Sequence, residues 1–149
     1  MQLPGVLGAG KSGTNANAST ITKHRLVGHG TASATNRQPI NGLNVTGVGA
    51  IAGAIQDDIP TGETGTVYDE DGMEVTIESD GSATIDYGQR VYAIAGATLA
   101  ASGRIAALPG SPTPGTNYEV VGRSISATQV PATAGAKVKV RWHREVYQG

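Results

Sequence analysis

The sequence predicts an all-β fold, a small sandwich or barrel-like β domain with an extended, glycine-rich N-terminal arm. Three observations lead there. The stretch Gly62 to Leu108 carries two Asp-Gly pairs, Asp71-Gly72 and Asp80-Gly81, with period-two alternation between and after them. Alternation bounded by Asp-Gly is a strong hairpin signal, because Gly adopts the positive φ of a tight turn without steric strain. The apolar residues are almost all aliphatic: Phe and Cys are absent and Trp142 is the one Trp. Such a core suits thin sheets better than a large enzyme pocket. Finally, no stretch of roughly ten residues or more shows the 3.6-residue apolar period of an amphipathic helix. A chain of 149 residues is long enough to bury one real core.

In order along the chain, residues 1–22 are rich in Gly, Ser, Thr and Asn with little apolar periodicity, and read as an extended arm. Residues 23–149 read as a single β domain. Ile21 to Val27 is a candidate first strand, and Gly28 to Thr46 a loop. In Val48 to Ile55, length and flanking glycines favour a buried strand, while periodicity alone also admits a helix. The meander follows. Met73, Val75 and Ile77 share one face, opposite Glu74, Thr76 and Glu78. Ala83, Ile85 and Tyr87 form the next face, and Gln89 to Ile94 continues the pattern. Pro109 to Asn117 is a loop. Tyr118 to Ser126 is a strand in which Gly122 suggests a bulge. Pro131 to Gly135 turns the chain into a last strand, Lys137 to His143, with Val138, Val140 and Trp142 facing the core.

Net charge is −1, which predicts no general affinity for nucleic acid. Its distribution is uneven: ten of the twelve acids lie between Asp57 and Asp86, and no Lys or Arg falls between Arg37 and Arg90. Lys11, Lys23 and Arg25 lie before the acidic stretch. Lys137, Lys139, Arg141, His143 and Arg144 form a basic stripe after it. These eight are the candidate interface residues, on a face that either meets an acidic partner or is simply solvated. The longest apolar run, Val48 to Ile55, is far short of the roughly 20 residues a membrane helix needs. No signal-peptide pattern follows Met1, so the expectation is a soluble protein made in the cytoplasm, without membrane contact.

Several motifs invite chemistry. Gly5 to Ser12 matches the phosphate-loop pattern G-x-x-x-x-G-K-[ST], in which backbone N–H groups cradle phosphates and Lys reaches the terminal oxygens. That geometry needs a strand before the loop and a helix after it. Here Met1 to Pro4 precedes it, and Ser-Gly-Thr-Asn follows. Asp69-Glu-Asp71-Gly72 resembles the start of a calcium loop, but Met73 stands where another oxygen ligand is needed. His24, His29 and His143 have no partners at metal-site spacing, and G-x-S-x-G does not occur. No catalytic residue, metal or cofactor is expected.

Four segments carry a family resemblance. They are GVGAIAGAIQDD with the Ile59-Pro-Thr-Gly-Glu-Thr-Gly65 turn; Gly88-Gln-Arg-Val91-Tyr92 with the later Gly96-Ala-Thr-Leu; Asn117-Tyr-Glu-Val-Val-Gly122; and Ala134-Gly135-Ala-Lys-Val138-Lys-Val140. In these the chain, over Val48 to Trp142, resembles the small all-β capsid decoration (cement) proteins of tailed bacteriophages. It departs from their simplest members in its N-terminal arm and acidic meander. The resemblance implies a non-enzymatic protein on the virion exterior. It would bind the major capsid protein, often as a homotrimer, and lock neighbouring capsid subunits together. Other virion components (a spike, fibre or tail adaptor) and a nucleotide-binding protein using Gly5 to Ser12 are the alternatives.

Overall fold

The computed structural model describes residues 10–44, 47 and 49–149, and contains no helix among them. Ten strands form: β1 Lys11–Asn15, β2 Arg25–His29, β3 Pro39–Gly42, β4 Ile51–Ile55, β5 Thr64–Val67, β6 Glu74–Glu78, β7 Arg90–Ile94, β8 Arg104–Ala107, β9 Asn117–Ser124 and β10 Lys137–Gln148. They make two five-stranded sheets, one ordered β4-β2-β3-β1-β5 and the other β6-β10-β9-β7-β8. The only parallel ladder among the described strands joins β1 and β3.

Each sheet curls until its two edge strands meet. In the first, Ala54 on β4 bridges to Tyr68, just past β5, with N–H···O bonds in both directions. In the second, Ser79 bridges to Ile105 on β8, and the Asp80 N–H donates to the Ile105 carbonyl. Closure of this kind hides the unpaired backbone that a sheet edge would otherwise present. The outer side of β6 is finished by a side chain. The Gln56 carboxamide donates to the Thr76 carbonyl and accepts the Thr76 N–H, both at 2.9 Å. A primary amide, carrying one acceptor and two donors, stands there in place of a neighbouring peptide.

Two aliphatic cores result. Ile21, Val27, Ile40, Ala52, Ile55, Ile59 and Val67 fill the first barrel. Val75, Ile77, Ile85, Val91, Ile105, Val121, Val138, Val140 and Trp142 belong to the second, which Leu26, Ile51 and Ala54 join from β2 and β4. Alternation along β2 and β4 thus serves both cores, Leu26 facing one and Val27 the other.

The last strand is as expected: Val138, Val140 and Trp142 are buried, and Lys137, Lys139 and Arg141 point outward. It runs further than the sequence suggested, to Gln148, past an irregularity between Trp142 and Glu145. Gly122 does lie beside a bulge. On β9 it pairs with Val91 and the next pair, Val120 with Tyr92, skips Val121. A Cβ on Gly122 would collide with the Arg141 carbonyl oxygen, which is backbone and cannot easily give way.

Three expectations are corrected. Of residues 1–22, expected as an arm, 1–9 lie outside the described residues, but 11–15 are a paired strand. β1 runs antiparallel to β5 and parallel to β3, and Ile21 is fully buried. Little apolar periodicity is needed there, because the buried positions of β1 are Gly13 and Asn15. A Cβ on Gly13 would press on Ile40 and Val67. The Asn15 amide is held by the Ser19 and Ile59 carbonyls. The second correction concerns the meander. Gly72 and Gly81 do adopt positive φ, 85° and 82°, but neither turn joins two paired strands. The first carries the chain from one sheet to the other. After the second, only Ile85 makes a bridge, to Val130, and Tyr87 is 71% exposed. β6 pairs instead with β10. Within Gly28 to Thr46, expected as loop, Pro39–Gly42 forms β3.

Gly122→Ala is expected to lower stability by about 2 kcal/mol or more, and Trp142→Ala by about 4 kcal/mol. Tyr87→Ser, on an exposed turn, is expected to stay within about 0.5 kcal/mol of the native protein. Urea unfolding followed by tryptophan fluorescence, or by circular dichroism for the Trp142 variant, measures all three.

Candidate functional site

The eight candidate interface residues divide sharply. Six already have a carboxylate partner within the chain. Arg25 meets Glu78 at 3.1 Å and Lys137 meets the same carboxylate at 2.8 Å. Arg141 pairs with Glu74 at 3.3 Å, His143 with Asp71 at 2.7 Å, and Lys11 and Arg144 with Asp69 at 3.6 and 3.3 Å. Lys23 and Lys139 have no ion pair among the described residues. The acids of the central stretch and the bases of the two ends, far apart in sequence, therefore face one another in the fold.

Two carboxylates act as hubs, one on either side of β6. Asp69, before the strand, accepts the Trp142 indole N–H at 3.0 Å as well as its two cations. A buried indole N–H needs such a partner, so this acid fixes the largest core side chain. Glu78, at the end of β6, gathers Arg25, Lys137 and Arg104, the last at 3.4 Å. Its side chain is 12% exposed and that of Arg25 is 8%. Burial alone would raise the Glu78 pKa. The Lys137 hydrogen bond and the charges of Arg25, Lys137 and Arg104 outweigh burial and hold it below its ordinary value.

Arg25 does more than neutralise Glu78. From β2 in the first barrel, one guanidinium nitrogen donates to the Ala100 and Ser102 carbonyls at 2.8 Å and to Leu99 at 3.4 Å. These carbonyls lie in the turn between β7 and β8 of the second barrel. Burial lowers the Arg25 pKa against the opposing pull of Glu78, yet a guanidinium stays charged at any ordinary pH. Next to it, His24 adopts φ 63°, an uncommon conformation for a residue with a side chain. Its Nδ1 is buried without a partner among the described atoms. Burial, then the nearby charges of Lys137 and Lys23, lower its pKa.

These contacts describe a structural junction between the two barrels. The described residues contain no group of three or more His, Asp or Glu side chains placed to hold a metal ion. Lys11 and Ser12, the last residues of the phosphate-loop pattern, lie inside β1, whereas a phosphate loop places them at the head of a helix; the start of that pattern lies outside the described residues. On the outer face of β10, Lys137 and Lys139 border a hollow of about 410 Å³ whose far wall is the Ile125 to Pro131 segment. Comparison of the chain with protein families, curated proteins and solved structures returned no match.

The internal pairing was hidden from sequence reading because each partner is remote in the chain. The one usable signal was the complementarity of the acidic centre and the basic ends, and it pointed inward as well as outward.

Two pH dependences follow. Glu78 releases its proton more readily folded than unfolded. Its contribution to stability is complete above the ordinary Glu pKa of about 4.3 and is lost as pH falls through the depressed folded value. Glu78→Gln, which leaves Arg25 buried without its counter-ion, should cost about 3 kcal/mol at neutral pH and flatten the acid limb of a stability–pH curve. His24 is also held in its neutral form by the fold. The unfolded chain therefore takes up this proton first as pH falls below about 6.5, and stability declines from there to the lowered folded pKa. His24→Asn, with a side chain tolerant of the left-handed conformation, should remove that part of the decline. Urea midpoints at closely spaced pH values read both effects.

Proposed function

We propose that this chain is a structural, non-enzymatic virion protein. It binds the outer surface of a phage capsid as a homotrimer and cements neighbouring major capsid subunits. The observation that carries this reading is where the motif-bearing segments fall. Gly88 to Tyr92, Asn117 to Gly122 and Ala134 to Val140 contribute the adjacent strands β7, β9 and β10, and the GVGAIAGAIQDD segment supplies β4, whose Ile51 and Ala54 join the same core. The sequence resemblance thus follows the scaffold that would be inherited, and the departures lie in what surrounds it. A doubly closed β body braced by internal ion pairs suits a role in which the protein bears load rather than turns over substrate.

The internal pairing narrows the proposed capsid contact. Arg25 is buried and serves the fold, and Lys11, Arg141, His143 and Arg144 are partly neutralised. Lys23 and Lys139, together with the exposed half of Lys137, remain for an acidic patch on the major capsid protein. Surface charges of this kind act mainly on the rate and salt dependence of docking.

Co-sedimentation with mature capsids lacking this protein tests the proposal. Saturable pelleting at a fixed ratio to capsid subunits is expected, weakened several-fold by Lys23→Glu with Lys139→Glu. Wild-type protein that stays in the supernatant would overturn it. Binding to tails or baseplates instead would assign the chain to a spike or adaptor.

A further inference from the structure

We propose that two copies of this chain associate head to tail through the first barrel, the acidic β4–β5 loop of one copy seating in a basic hollow of the next. Once the internal ion pairs are set aside, the charges left on this barrel lie at its two ends. At one end, Lys11, His29 and Arg37 line a hollow of about 320 Å³ floored by Pro39, Ile40, Ala52 and Val67. Among the described residues, no carboxylate lines it. His29 and Arg37 have no carboxylate within ion-pair distance among the described residues, and Lys11 reaches Asp69 only at 3.6 Å while half exposed. At the other end, the loop spanning 56–63 exposes Asp57, Asp58, Pro60 and Glu63. None of these acids forms an ion pair among the described residues; Asp58 accepts only the Lys23 backbone N–H.

Strand register fixes the two ends. Thr14 lies opposite Thr64, beside the loop, and Lys11 opposite Val67, beside the hollow. Arg25 pairs with Ile55 at the loop end, and the His29 N–H donates to the Ala50 carbonyl at the hollow end. The length of β1 sets the patches roughly 13 Å apart at about 3.3 Å per residue. That exceeds the screening length of about 8 Å at physiological salt, so the patches do not neutralise each other within one copy. The match is chemical as well as electrostatic. A cationic rim accepts the carboxylates of the loop, and an apolar floor receives Pro60. Because the two patches differ, the contact is heterologous: it repeats from copy to copy and closes into a ring when the rotation allows. It requires no capsid, and it stands or falls separately from capsid docking.

The test uses purified full-length protein in sedimentation velocity. Wild type should self-associate at about 0.05 M salt and at least tenfold more weakly at about 0.5 M. His29→Gln with Arg37→Gln removes two of the hollow's three basic side chains and leaves Lys11, which already faces Asp69. Asp57→Asn with Asp58→Asn removes two of the loop's three carboxylates and keeps an acceptor for the Lys23 N–H. All four positions are exposed, and unchanged urea midpoints confirm that the variants fold. Each double variant alone should be monomeric, and an equimolar mixture should form a one-to-one pair and nothing larger. A monomeric wild type at low salt overturns the proposal. So do variants that associate like wild type, or loss of association in the hollow variant only, which would mean that the hollow takes an anion other than this loop.

Discussion

A single buried guanidinium, that of Arg25, links the two halves of this molecule. It leaves β2 of the first barrel and reaches the Glu78 carboxylate at the end of β6 and the turn carbonyls before β8. Each of those partners belongs to the second barrel or its loops. Apolar packing across the junction is nondirectional and would permit the barrels to slide. A planar donor with fixed angles does not. The backbone follows the same line: the Leu26 N–H donates to the Gly103 carbonyl, and the Glu78 N–H to the His24 carbonyl. The left-handed backbone at His24 sits where these bonds meet, held there by the contacts on either side.

That junction changes the meaning of the charge pattern. Along the chain, acids occupy the middle and bases the ends, which suggested separate surfaces. In three dimensions Asp69, Asp71, Glu74 and Glu78, on β6 and just before it, meet six of the eight candidate basic residues. The groups left without an ion pair among the described residues include Lys139 on β10, and on the first barrel Lys23 beside the acidic loop and Arg37 and His29 opposite Asp57, Asp58 and Glu63. An interface argument based on sequence charge alone would overcount the available cations by including Arg25, which water barely reaches.

Fold class was legible because period-two alternation is local. β6, β7, β9 and β10 could be read directly from residues such as Val75, Ile77, Val138 and Val140, and the turn role of Gly72 and Gly81 followed from stereochemistry. Pairing was not legible. Asp71-Gly72 looks like a hairpin tip in sequence, yet Trp142 and its neighbours on β10, seventy residues later, are the strand that β6 pairs with. β1 and β3 escaped because Ile40 is their one aliphatic core residue, while Gly13, Asn15 and Gly42 fill other inward positions with backbone proximity and a side-chain amide in place of an aliphatic signal. The candidate site suffered from the same remoteness. Nothing in the sequence near Arg25 announces Glu78 or the Ala100 and Ser102 carbonyls.

The closure of both sheets also restricts how the protein can meet others. Proteins with an open edge can extend a neighbour's sheet, a mode in which main-chain bonds bind almost any sequence and are difficult to undo. Here the Ala54–Tyr68 and Ser79–Ile105 bridges and the amide of Gln56 occupy the backbone groups through which that would begin. Recognition is left to side chains, whose identity can be edited one residue at a time without touching the fold. Partner choice in such a molecule can drift quickly under selection while its architecture stays still.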